Sequence, residues 1–312
     1  MHLSRILPVV ALLGLMSVEL RSQNSGTSSL IEQIHALETA VEKSPAKDDG
    51  TTWLKLAILH QDAAEYRDSE RAYREAIKLL KVGNRATLAD AFDQMGTMYV
   101  ECGEFSKAEP LERKALAIRQ EGNDSLGIGI SHMHLAILLL GRRELGSAEV
   151  EAEMAASLLV PERTGSATRT AATPEEKMTA LIDLSLVRCA RDACAGALPD
   201  LKRAMQLAQA NYTANSIPVG FLDFLTGYAS WKNGDGPAAG ELMNKGIHEL
   251  ETQVGWGHPT YISVLKQYRT FLVQTGHPTE ASELEARILQ LEKSREARPA
   301  QSENAAIQLN QP

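Results

Sequence analysis

Cys189 and Cys194 bound the short stretch CARDAC, and a third cysteine, Cys102, stands far from both. In an oxidising compartment such a pair offers a disulfide. Its spacing across a helical hairpin turn strains the Cα separation of about 4.4–6.8 Å that the bond requires, and two buried thiols are the competing reading. Cys102 has no evident partner and is expected to be buried or half-buried. The eight histidines offer less chemistry. His132 and His134 are two residues apart and do not share a helical face, while His258 and His277 each precede a proline in a turn. No HExxH pair or closely spaced Cys/His set occurs, so no metal site is expected. Ser and Asp are plentiful without a nucleophile elbow, and no glycine loop has phosphate-binding form. Neither enzymatic activity nor a cofactor is expected. Recognition remains. FLDFLTGYASWKNGDG (221–236) sets Phe221, Phe224, Tyr228 and Trp231 on one side of a helix, in a chain with five Phe, seven Tyr and three Trp in all.

The elements that must position these residues are helices. Of 312 residues 44% are hydrophobic, enough for a substantial core, and the low proline count with abundant Leu, Ala and Glu favours helix. The formal net charge is −8, and the 32 basic residues are scattered rather than clustered, which argues against nucleic acid as a partner. The chain also repeats itself. WLKLAILHQDAAEYRDSERAYREAI, FDQMGTMYVECGEFSKAEPLERKAL and HLAILLLGRRELGSAEVEAEMAA share one pattern, and weaker copies follow near 185–204, 227–246 and 269–288. One position of the pattern falls at Ala57, Gly96, Ala136, Ser185, Gly227 and Arg269, separated by 39, 40, 49, 42 and 42 residues. Each copy reads as an amphipathic helix, a tight turn and an antiparallel second helix. Small residues such as Gly96 and Ala108 let the pair close up. No pair buries its apolar faces alone, so the copies must stack.

This pattern resembles the tetratricopeptide repeat family over about residues 50–291, and the longer spacing is similar to the variety found in kinesin light chains. AEPLERKALAIRQ (108–120) and GHPTYISVL (257–265) carry the likeness best. The resemblance implies an all-α, right-handed superhelix of about six antiparallel helix pairs over 50–292. It also implies first helices lining a concave face that grips an extended protein segment. A helical cap is expected at 28–49 and a flexible tail at 293–312. The inward positions of the third to fifth copies include Met133, Ile137, Ile182, Leu186, Phe224, Tyr228 and Trp231. With Phe221, these make an apolar trough the expected ligand surface, although the same aromatics could instead be core. The Lys/Asn clamp that some members of the family use for a terminal carboxylate is absent, with only Lys55 and Lys266 isolated along the groove.

MHLSRILPVVALLGLMSVELRSQ begins with a basic residue, Arg5, and an apolar run from Ile6 to Val18. As helix that run rises roughly 20 Å, short of a ~30 Å hydrocarbon core, and reads as a signal peptide ending near Ser22. Export to a periplasmic or secreted location is therefore expected, with retention as an N-terminal anchor the alternative. No second long apolar run follows, so no stable membrane span is expected in the mature chain. The resulting expectation is a non-catalytic scaffold for a protein or peptide partner. A structural or homo-oligomeric module of a cell-envelope assembly is the second reading, and an enzyme the remote third.

Overall fold

The computed structural model describes residues 30–43, 50–63, 65–81, 83–161, 172–254 and 259–296. Among these residues thirteen α-helices occur: α1 (Leu30–Lys43), α2 (Thr51–Asp62), α3 (Tyr66–Leu80), α4 (Arg85–Glu101), α5 (Phe105–Glu121), α6 (Ser125–Gly141), α7 (Leu145–Leu159), α8 (Pro174–Ala190), α9 (Cys194–Asn211), α10 (Ile217–Lys232), α11 (Gly236–Val254), α12 (Pro259–Gln274) and α13 (Pro278–Glu296). The leader expected at 1–22 lies outside the described residues. So does most of the expected tail, whose first residues instead complete α13.

The architecture is an all-α solenoid of antiparallel helix pairs, with α2 packed on α3, α4 on α5, α6 on α7, α10 on α11 and α12 on α13. The chain divides into two compact units, the first containing α1–α8 and ending at Arg191, the second containing α9–α13 from Asp192 onward. In the first unit α1 packs on α2 and buries Ile34 and Val41.

Local chemistry explains where the helices begin and turn. Asn84 and Asp124 accept hydrogen bonds from the backbone N–H groups of Thr87 and Gly127. Thr173 and Glu176 close a reciprocal capping box behind Pro174. Within the pairs the chain reverses through one left-handed residue, with φ of 72° at Gly103, 64° at Arg143 and 96° at Gly234. The following amide then reaches back to an orphaned helix carbonyl, Glu104 to Tyr99, Glu144 to Leu139 and Asp235 to Ser230.

At Ala57, Gly96 and Gly227 the repeating small position lies at the seam of its pair. Ala57, Ala136 and Ser185 are almost wholly buried, and Ser69 of α3 donates its hydroxyl to the Ala57 carbonyl at 2.8 Å. Arg269, the exception, is half-exposed and forms an ion pair with Glu285 of α13. The backbones of α10 and α11 approach each other closely. A Cβ placed on Gly246 would lie 2.4 Å from the Gly220 carbonyl oxygen and 2.6 Å from the Phe224 amide nitrogen. Backbone atoms cannot yield as a side-chain tip can. Gly246→Ala is therefore expected to destabilise the second unit by about 2 kcal/mol, despite alanine's better helix propensity. Thermal unfolding measures this, and an unchanged or raised midpoint contradicts the packing.

Candidate functional site

In the second unit, α10 and α12 bring a row of aromatic rings together. Tyr228 and Trp231 meet edge to face at 5.7 Å between centroids, and Trp231 meets Phe271 in the same manner at 5.3 Å. Tyr268 stacks on Phe271 at 5.6 Å. The ammonium of Lys232 sits 4.7 Å from the Trp231 ring centre. Phe271 is buried, Tyr228, Trp231 and Tyr268 are half-buried, and Lys232 is exposed. Partly exposed Trp and Tyr rings beside a cation offer apolar area, π faces and charge at low entropic cost to an incoming chain.

The predicted trough is distributed differently. Phe221 and Phe224 are fully buried, and so cannot present their rings to a ligand. Phe224 lies where α11 crosses most closely, opposite Gly246, and the seam also takes in Gly227 against Ala239 and Met243. Asp223 joins that seam by accepting a 2.7 Å hydrogen bond from the Lys245 ammonium. Tyr228 and Trp231, a turn further on, emerge from it. In the first unit Met133 packs with Ala155, Leu159, Ala172 and Ala180, filling the space between repeats. Ile137, Ile182 and Leu186 are buried as well. Six of the eight expected ligand residues are therefore core in this structure, enclosed by the second helix of their own pair or by neighbouring repeats. Lys232, Tyr268 and Phe271 join the row from outside the expected set. Cys189 ends α8, Cys194 begins α9, and both are disulfide-bonded; Cys102, expected to be covered, is exposed.

A second constellation, wholly in the first unit, has no counterpart among the sequence expectations. Asp93 of α4, Glu112 of α5 and His134 of α6 converge, one ligand atom from each lying within 4.8 Å of the others. His134 Nδ1 is 3.0 Å from Asp93 Oδ1 and 3.7 Å from Glu112 Oε2. Asp93 and Glu112 are buried, whereas the His134 side chain is 22% exposed. Arg119 of α5 holds Asp93 from the other side at 3.2 Å and also reaches Asp90, Ser131 and the Gly127 carbonyl. Asp183 of α8 is buried nearby in the field of His134. A repeat comparison could have found this cluster. Glu112 stands where other second helices carry Tyr73, Ala152, Leu201 and Met243, and Asp93 where other first helices carry Leu54, Met133, Ile182 and Phe224. No clear catalytic architecture accompanies it among the described residues; the cluster has donors and acceptors but no positioned nucleophile.

The tetratricopeptide repeat family model matches residues 88–123, the second copy. No curated protein matches the chain by sequence. Solved structures share the fold. RapI in its apo form superimposes with a TM-score of 0.69 at 14% identity, covering 91% of this chain and 97% of its own. BtubC (BKLC) from P. vanneervenii gives 0.58 at 17%, covering 72% and 92%. A Rap protein complexed with competence and sporulation factor gives 0.56 at 11%, covering 90% and 92%. At these identities the likeness is one of fold: a tetratricopeptide-like helical solenoid. None of the described helices is long and apolar enough to cross a membrane.

The buried cluster makes stability depend on pH. Burial and the neighbouring Asp93 charge push the Glu112 carboxyl from 4.5 up to about 8. Burial alone would lower His134, but Asp93 and Glu112 outweigh it and lift the imidazole from 6.5 to about 10. Asp93 is held well below the usual carboxylate range, burial being overcome by His134 and Arg119. Glu112 binds its proton more tightly in the folded chain, so its contribution is full below 4.5 and is lost as pH rises through about 8. The His134 contribution is full below 6.5 and lost through about 10. Asp93 acts oppositely, stabilising above 3.8 and failing in acid. With chelator present, the unfolding midpoint is expected to fall between about pH 5 and about pH 9, and Glu112→Gln to flatten the acidic half of that decline. Identical slopes for wild type and variant over that range would contradict this assignment.

Proposed function

We propose that the chain is a non-catalytic interaction scaffold that holds an extended segment of a partner protein, with Tyr228, Trp231, Tyr268 and Lys232 as the contact surface. The observation that carries this reading is the aromatic row itself. Three half-buried rings from two successive first helices lie in one contiguous row beside an exposed ammonium. A tetratricopeptide-like solenoid supports it, since stacked helix pairs form extended surfaces for binding a peptide. So does the Rap protein complexed with competence and sporulation factor, as a precedent for complex formation on this fold. The binding mode on the concave face and the kinship with the kinesin light chain variety of repeat belong to the same proposal. They rest on the repeat spacing near 40 and on AEPLERKALAIRQ.

The partner chemistry that fits is an extended segment with apolar side chains for the ring faces and a carboxylate for Lys232. Trp231→Ala or Tyr268→Ala is expected to weaken capture of the partner from native extract by roughly 30-fold, about 2 kcal/mol, with the unfolding midpoint little changed. Phe221→Ala and Phe224→Ala should cost about 3–5 kcal/mol of stability instead. Capture by the folded Trp231→Ala chain at wild-type strength would remove the row from the contact surface.

Export is part of the same proposal. The basic, apolar, polar order of residues 1–25 supports a leader, and the paired state of Cys189 and Cys194 suits an oxidising compartment. The intact mass of the protein from its native host is expected to lack about 22 residues. Recovery of the full-length chain with both cysteines freely alkylatable would reject export.

A further inference from the structure

We propose that Asp93, Glu112 and His134 form a structural site for one divalent transition-metal ion, Zn²⁺ foremost, which fastens α4 and α5 to α6. The geometry suits an ion. Two ligands each about 2.1 Å from a metal at tetrahedral or octahedral angles lie roughly 3.0–3.5 Å apart. Asp93 Oδ1 and Glu112 Oε2 stand at 3.0 and 3.7 Å from His134 Nδ1, so small side-chain rotations complete the set.

As the side chains stand, hydrogen bonding leaves part of the cluster unsatisfied. Asp93 Oδ1, His134 Nδ1 and both Glu112 carboxylate oxygens are buried without a hydrogen-bond partner. A proton shared between the imidazole and Asp93 serves those two residues, whereas Glu112, at 0% exposure, has neither oxygen in hydrogen-bonding geometry and must hold a proton of its own to be accommodated. A bound cation serves all three residues. It also settles the charge: two positive charges meet the Asp93 and Glu112 carboxylates, while the Arg119 guanidinium is shared with Asp90.

The surroundings are arranged for these side chains. Only glycine at 96 leaves room for the carboxylate, since a Cβ there would lie 2.3 Å from Glu112 Oε1. Arg119 fixes the Asp93 carboxylate from outside the donor set, as partners of metal ligands commonly do. One imidazole with two carboxylates suits Zn²⁺, with Co²⁺ and Mn²⁺ as close substitutes, and leaves a position for water. The partly exposed edge of His134 gives the ion a way in. The role is that of a staple between the second and third repeats, compatible with a scaffold and independent of the aromatic row in the other unit.

The test uses the untagged full chain, stripped with EDTA and titrated with ZnCl₂ or CoCl₂ by calorimetry, with thermal unfolding in parallel. One ion per chain is expected, together with a raised unfolding midpoint and visible d–d absorption from bound Co²⁺. Glu112→Gln, nearly isosteric, and His134→Gln are each expected to weaken binding at least tenfold and to abolish the shift in midpoint. Absence of stoichiometric binding by the wild type overturns the proposal and leaves the cluster to shared protons. Wild-type affinity in both variants overturns it equally, because the ion would then sit elsewhere. If His134→Gln does not fold, the wild-type stoichiometry and Glu112→Gln decide.

Discussion

The distance between two helices of a pair is set by what stands on the facing backbone, and nearly everything else in this protein depends on it. Where alanine or glycine occupies the seam, the helices come close enough to seal it without large side chains. At Gly246 the facing backbone of Gly220 and Phe224 occupies the space of a missing side chain. At Gly96 the same vacancy is filled by a carboxylate, that of Glu112. One backbone device thus yields a dry seam in one repeat and a charged pocket in another. The difference lies in the residue opposite.

A charged pocket is a poor way to stabilise a fold. Apolar residues of similar volume usually do as well or better in place of buried ion pairs, and here the other repeats carry Tyr73, Ala152, Leu201 and Met243 at the equivalent position. The cluster therefore concentrates free energy in protonation or ion binding. It also joins three helices where a hydrophobic contact would join two, which suits the boundary between consecutive repeats. A stack of pairs is only as rigid as its nearest-neighbour interfaces.

The aromatic row in the second unit follows from the same spacing. Once Gly227 and Gly246 bring α10 against α11, Phe221 and Phe224 are enclosed, and the helical turn that follows carries Tyr228 and Trp231 out of the seam. Phe271 and Tyr268 of α12 then meet them, extending the surface across two repeats. The residues available for contact are those the packing has no room to bury.

The sequence by itself determined the helices and the antiparallel pairing of α2 with α3, α4 with α5, α6 with α7, α10 with α11 and α12 with α13. Those depend on local periodicity, turn residues and a small position recurring every 39 to 49 residues, all of which are written along the chain. Even Ser185, whose copy is weak, is buried as its register requires. Tertiary structure alone decided which side of each first helix is covered. Met133, Ile182, Phe221 and Phe224 have the same apolar character as Tyr228 and Trp231, but neighbouring helices enclose the first four and leave the last two half open. It also decided the meeting of Asp93, Glu112 and His134. Their side chains come from three helices, and the 41 residues between Asp93 and His134 hide a separation of 3.0 Å. Spacing along one helix can place donors on a shared face, whereas donors that converge from three helices have no signature until the helices are stacked.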